Sequence, residues 1–183
     1  MKGRPRAVIL FCDEVIITQT PPLRAAWSKI GEALAVPITG NRDKRVLYGT
    51  LSLQGAVELY YAKEWDQDHF QAYLRQIRRR WRGWRIVLFL DRGSPHTAGA
   101  SRQLAHSLGI ALRWLPTACP ELNPVDHLWR HVKAFVANEA CPKVAETVER
   151  AASYVLKLTP QERLCKAGIL SPNFWLKGLL SAC

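Results

Sequence analysis

Six aspartates occur in the 183 residues, and three of them stand where chemistry would use them. Asp13 follows the apolar run from Ala7 to Cys12 and closes a predicted strand. Two-residue alternation puts it on the face of Ile9 and Phe11, opposite Cys12 and Glu14. Asp91 follows Ile86-Val87-Leu88-Phe89-Leu90 directly. That is the carboxyl end of a second buried strand, where open α/β sheets bind ligands. Asp126 falls in the first turn of a helix opened by Asn123-Pro124, on the side away from Val125, Leu128 and Trp129, where the helix dipole favours negative charge. Taken singly, any one of the three is more often a turn or capping residue. Converging, they require a counter-charge, and hard oxygen donors select Mg²⁺ or Mn²⁺. Two such ions, about 3.5–4 Å apart, activate a water and stabilise the leaving oxygen of a phosphodiester.

The rest of the chain is consistent with a polyanionic partner. Lys and Arg number 26 against 15 Asp and Glu, a net charge of +11. Arg, the better bidentate phosphate partner, outnumbers Lys. Arg75, Arg78, Arg79, Arg80, Arg82 and Arg85 crowd one stretch with no acid between Asp68 and Asp91. They read as a track for a DNA backbone or, more blandly, as a solvated face. Arg130 and Lys133, on the Asn123 helix, are further candidates for DNA contact. Trp81 and Trp84 suit base stacking or anchoring. His127 and His131 have the i, i+4 spacing that grips zinc, but no third ligand stands out beyond Cys119, and surface or DNA-facing histidines are favoured. The five cysteines are scattered without a C-x-x-C pair, which predicts reduced thiols rather than a zinc ribbon or a disulfide framework. No apolar run approaches the length of a membrane helix or a signal-peptide core, so a cytoplasmic, nucleoid-associated protein is expected.

The elements that must position these residues follow from periodicity. Ala7 to Cys12 reads as a strand, with Val15 to Thr18 beginning another across a bend. A polar connector from Gly40 to Arg45 leads to Val46–Leu53 and Val57–Tyr61, which flank a Gln54-Gly55 turn. A helix over about 66–82 carries Phe70, Leu74, Ile77 and Trp81 at helical spacing, with Gly83 at its end. Arg85 to Leu90 is a strand. Ser94-Pro95 reads as cap and first-turn proline of a helix ending at Gly109, and Ile110 to Leu115 is the last strand. The Asn123 helix buries Val125, Leu128, Trp129, Val132 and Val136. Pro142 and Thr159-Pro160 open two more helices. The expected fold is an α/β mixed sheet flanked by helices.

Three blocks carry a family resemblance: Phe11-Cys12-Asp13-Glu14; Leu88-Phe89-Leu90-Asp91 with His96; and Leu115-Pro116-Thr117-Ala118-Cys119-Pro120-Glu121-Leu122-Asn123-Pro124-Val125-Asp126-His127-Leu128-Trp129. They resemble the DDE/D transposases, more narrowly the mariner superfamily and its bacterial insertion-sequence branch. The third block is the most specific, and the 34 residues between Asp91 and Asp126 match the spacing of the Asp-Asp-Asp class. Trp27 to Gly31 and the stretch from Val36-Pro37 to Tyr48-Gly49 are similar to the family's connecting strands. The resemblance implies an RNase H-like fold over residues 7–140, a basic leader at 1–6 and a helical extension of the same domain at 141–183. It implies Asp13, Asp91 and Asp126 as catalytic metal ligands for two Mg²⁺ or Mn²⁺ ions, with Glu14, Arg92 and His96 as accessory residues. Arg92 replaces the family's usual Asn and is placed to meet phosphate; His96 would orient substrate or a neighbouring carboxylate.

The implied activity is cleavage and joining of DNA strands at transposon ends, with those ends and target DNA as partners and a homodimer as a candidate assembly. The family's end-reading helix-turn-helix has no counterpart here, so a separate region or subunit is expected to supply it. The alternatives are a generic RNase H-like nuclease acting on RNA–DNA hybrids and a non-catalytic DNA-binding remnant.

Overall fold

The computed structural model describes residues 6–32, 35–36 and 40–180. Lys2 and Arg4 of the expected leader, and Pro37, lie outside them. Five strands, β1 (Ala7–Thr18), β2 (Lys44–Ser52), β3 (Val57–Ala62), β4 (Arg85–Leu90) and β5 (Ile110–Trp114), form one sheet of order β3-β2-β1-β4-β5. β1 pairs antiparallel with β2 and parallel with β4, and β5 extends the parallel half. The expected mixed α/β sheet is what the chain forms.

Alternation along β1 divides the interior into two layers. Phe11, Val15 and Ile17 face α4 (Pro124–Phe135), α5 (Val144–Lys157) and α6 (Pro160–Lys166), around buried Trp129, Val132 and Val148. Val8, Leu10 and Cys12 face α1 (Gln67–Arg80) and α3 (Gly99–Ser107), around Phe70, Tyr73, Leu74 and Ile77. Trp129 lies so close over β2 that a side chain at Gly49, the register partner of Asp13, would stand 2.5 Å from its ring.

Several boundaries differ from those expected. β1 is one strand rather than two across a bend, so Asp13 does not end it. β4 pairs only as far as Phe11, whereas β2 continues along β1 to Thr18 and carries Asp13 and Glu14 inside a regular ladder. Trp27 and its neighbours form no strand; Trp27 and Ile30 stand fully exposed in the coil after β1. Lys44 and Arg45 belong to β2 rather than to a connector. The helix expected from Ser94 to Gly109 is two: α2 (Ser94–Thr97), capped by Gly93 rather than Ser94, and α3, because Ala98 is extended at ψ 136°. Asn123 does cap α4, accepting from the Val125 N–H, and Thr159 with Glu162 forms a reciprocal capping box on α6. A short α7 (Lys177–Leu180), not expected from the pattern, ends the described chain. Among the described residues no helix is long and apolar enough to cross a membrane.

Candidate active site

Asp13, Asp91 and Asp126 line one cleft of about 500 Å³, with Glu14, Arg92, Gly93, Asn123 and the loop from Leu115 to Pro120. Each carboxylate arrives by a different route. Asp13 projects from β1 toward the α4 layer, just past the point where β4 stops pairing. Asp91 follows the last residue of β4. Asp126 occupies the first turn of α4.

Adjacent in sequence, Asp13 and Glu14 point to opposite faces of the sheet, and Glu14 meets His96 on the α2 side. The His96 ring is fully buried; it donates from Nε2 to Glu14 Oε1 at 2.5 Å and from Nδ1 to Asp91 Oδ1 at 2.7 Å. Carboxylates only accept, so a ring meeting one at each nitrogen carries both protons. Burial opposes that charge, but Glu14 and the hydrogen bonds the ring donates to both acids outweigh it and raise the pKa to about 10. His96 in turn holds Asp91 below the usual carboxylate range, helped by the Gly93 N–H, which donates to Asp91 Oδ1 at 3.0 Å. A side chain at 93 would crowd the site: a Cβ there would stand 2.9 Å from the Trp65 ring and 3.2 Å from both Asp91 Oδ1 and His96 Nδ1.

Asp13 behaves in the opposite way. Burial, then the charges of Glu14, Asp126 and Asp91, push its pKa up to about 8. Burial among like charges is the cause. Asp126 is drawn aside, accepting on Oδ2 from Arg130 Nε at 3.1 Å and Nη2 at 2.9 Å. Among the described residues no three His, Cys, Asp or Glu side chains stand close enough to hold an ion as they are. The donor set nevertheless fits a hard divalent cation: three carboxylates on one cleft, one of them costly to ionise alone.

The sequence-predicted residues divide accordingly. Glu14, Arg92 and His96 are at the site, whereas the Arg75–Arg85 group is not. Arg85 begins β4 and Asp91 follows its end, so the six residues of β4 hold the two about 20 Å apart. Arg75, Arg79, Arg82 and Arg85 are exposed there. Arg78 corrects the expectation of a DNA contact. It folds back to donate to the carbonyls of Leu108 (3.4 Å), Trp84 (3.0 Å) and Trp81, locking the end of α1. Lys133 is exposed on α4. His127 is half-buried, with its Nε2 enclosed and without a hydrogen-bond partner. Sequence reasoning missed Gly93, whose Asp-x-Gly spacing signals an Asx turn. It also missed Trp65, edge-on to His96 with centroids 6.5 Å apart, for which no signal existed.

A five-stranded mixed sheet with acids gathered where its parallel strands end defines an RNase H-like α/β domain with an acidic active-site cleft. Residues 8–149 match the family model described as DDE superfamily endonuclease, and the chain belongs to that family. Among solved structures, the Mos1 transposase paired-end complex with left transposon end is similar at TM-score 0.70 and 20% identity, over 98% of this chain and 56% of that one. The mariner Mos1 paired-end complex with Mg gives TM-score 0.73 at 18% identity, over 95% and 55%. The Mos1 transposase catalytic domain with raltegravir and Mg gives 0.66 at 19%, over 98% and 85%. The chain thus spans little more than half the length of the chains in the paired-end complexes, and at these identities the likeness establishes the fold. No curated protein matches the sequence significantly.

Proposed function

We propose that the chain is the catalytic domain of a transposase that cleaves DNA at transposon ends and joins it to a target. The observation that carries this reading is the convergence of Asp13, Asp91 and Asp126, from three separate elements, on one cleft of a DDE-family sheet. These three would hold Mg²⁺ or Mn²⁺, two ions in all. Bound there, the metal supplies an activated water and screens the charge that develops on the phosphodiester oxygens. No side chain acts as a covalent nucleophile. His96 and the Gly93 N–H hold Asp91 Oδ1, leaving Oδ2 for the metal, and Arg92 on the cleft wall suits a phosphate oxygen.

Mos1 complexes described as paired-end, with Mg and with Mn, support divalent metal and transposon-end DNA as the partners. A homodimer, end recognition by a separate helix-turn-helix region or subunit, and a nucleoid-associated cytoplasmic location belong to the same proposal. The test is Asp91→Asn, assayed with Mg²⁺ or Mn²⁺ on DNA carrying the element's ends. Cleavage is expected to be abolished while DNA affinity stays equal or rises, since an unscreened carboxylate repels phosphate. Near-normal cleavage by the variant would remove Asp91 from the site.

A further inference from the structure

A second cleft, of about 340 Å³, lies on the outer side of α4 and is lined by Arg24, His127, Arg130, His131, Ala134 and Lys166. Five of these six are basic, and no carboxylate is among the described residues lining it. Three separate elements deliver the cations, each with its own anchor.

Arg24 comes from the coil after β1, which is clamped to the end of α4. The Arg24 N–H donates to Asn138 Oδ1 and Asn138 Nδ2 donates to the Arg24 carbonyl, both at 2.8 Å, while the Asn138 N–H donates to the Pro22 carbonyl at 3.0 Å. Asn138 sits at φ +60°, uncommon for a non-glycine residue, and these bonds hold it there. Lys166 comes from the last turn of α6. Beyond it Gly168, at φ +73°, lets the chain approach His127, whose Nδ1 would stand 3.3 Å from any Cβ there. The crowding has an electrostatic signature: burial, then Lys166, Arg24 and His127, push the His131 pKa down.

Arg24 and Lys166 bring full charges to a cleft whose described lining holds no carboxylate, and Arg130 beside them shares its charge with Asp126, a setting that suits a phosphate from outside. We infer that this cleft is a phosphate-binding site for the DNA backbone flanking the scissile bond. The inference rests on DNA being the substrate. Arg130 joins the two clefts, because it lines this one while its guanidinium bonds Asp126 four residues earlier, about 6 Å along the axis. A strand whose phosphates lie among Arg24, Arg130 and Lys166 therefore continues along α4 onto the carboxylates. The arginines near Arg85, at the far end of β4, have no such continuity with the site.

The test is Arg24→Ala with Lys166→Ala, two side chains outside the acidic cleft, in the full chain. Binding to a random-sequence DNA duplex is measured in EDTA over a range of salt concentrations. The log–log slope is expected to flatten by about 1.8, at roughly 0.9 for each phosphate no longer neutralised. Arg24→Lys with Lys166→Arg keeps both charges and is expected to keep the wild-type slope. Arg24→Gln with Lys166→Gln, which removes the charges but keeps polar side chains, is expected to flatten it equally. An unchanged slope in variants that melt at the wild-type temperature would overturn the inference. Because no metal is present, the result is independent of cleavage. Flattened slopes beside a wild-type chain that never cleaves would defeat the proposed function and leave the phosphate site standing.

Discussion

The Asn123 side chain donates from Nδ2 to the Cys12 carbonyl at 2.9 Å, tying the helix that carries Asp126 to the strand that carries Asp13. Its Oδ1 simultaneously accepts from the Val125 N–H at 3.2 Å. One buried amide thus caps α4 and sets the spacing of two carboxylates, with Asp13 following directly on the bonded peptide.

Replacing Asn123 with Ala removes both functions. A lost cap costs about 1 kcal/mol, and an unpaired buried carbonyl at Cys12 a further 1–3 kcal/mol. The melting temperature is expected to fall by roughly 5–15 °C, at about 2–4 °C per kcal/mol for a domain of this size. Asn123→Asp keeps the cap but loses the donor and sets a carboxylate against the Cys12 carbonyl, so it should retain no more than the capping part of the stability. Equal stability of Asn123→Asp and wild type would show that the bond to β1 contributes nothing.

Stability should depend on pH in a way that divalent metal reverses. The Asp13 pKa rises on folding from 3.8 to about 8, so the folded state holds a proton that the unfolded chain has released. The Asp13 contribution therefore declines as pH rises through that window. His96, raised from 6.5 to about 10, stabilises fully below the lower value and loses its contribution as pH climbs toward the upper one. Asp91, held down first by His96, contributes above its ordinary range and loses that contribution only in acid. In EDTA the melting temperature should thus decline from mildly acidic to alkaline pH. Mg²⁺ or Mn²⁺, which binds ionised carboxylates, should raise it more near pH 8 than near pH 5. Asp13→Asn should flatten the lower part of the decline. A metal-induced rise of the same size at both pH values would contradict the role given to Asp13.

The arginines of α1 and the turn after it should separate by what they touch. Arg78→Ala removes the donor that the carbonyls of Trp84 and Leu108 share, while the Trp81 carbonyl keeps the Trp84 N–H, at a cost of about 1–3 kcal/mol. Arg79, Arg82 and Arg85 are exposed, and their joint replacement by Ala should leave stability within about 0.5 kcal/mol per site. If they form a DNA track, the salt slope of binding flattens by up to about 0.9 for each. An unchanged slope makes them a solvated face.

How much of this was legible in the sequence depended on the range of the interaction. Asp13, Asp91 and Asp126 were marked by what immediately precedes or opens their elements, and period-two alternation correctly separated Asp13 from Glu14. The apparent break of β1 failed because two acids inside a strand look like its end. What keeps them in the ladder is Gly49 and Tyr48 on β2, a pairing that no local pattern reveals. The inward fold of Arg78 and the reach of Asn123 to Cys12 are likewise long-range. His96 was visible only as a motif position. Its burial between Glu14, 82 residues away, and Asp91 required the sheet to be assembled.

Arg130 should report the balance between the two clefts. Its bond to Asp126 is an i, i+4 pair with the arginine side chain 58% exposed, the class worth about 0.3–0.5 kcal/mol. That is weak enough for an arriving divalent cation to displace, and it engages only Oδ2 of Asp126. Arg130→Ala frees Asp126 and removes a positive charge beside the metal, so the metal concentration for half-saturation should fall by about twofold. Mn²⁺ binding to the chain without DNA, followed by electron paramagnetic resonance, measures this independently of turnover. The same substitution takes one cation from the second cleft, so the salt slope of DNA binding should flatten by about 0.9. Tighter metal and weaker DNA from one substitution is the expected pair of results. Weaker metal binding in Arg130→Ala would instead mean that the guanidinium holds Asp126 in its working position, and the arrangement seen here would be the assembled site rather than one awaiting its ion.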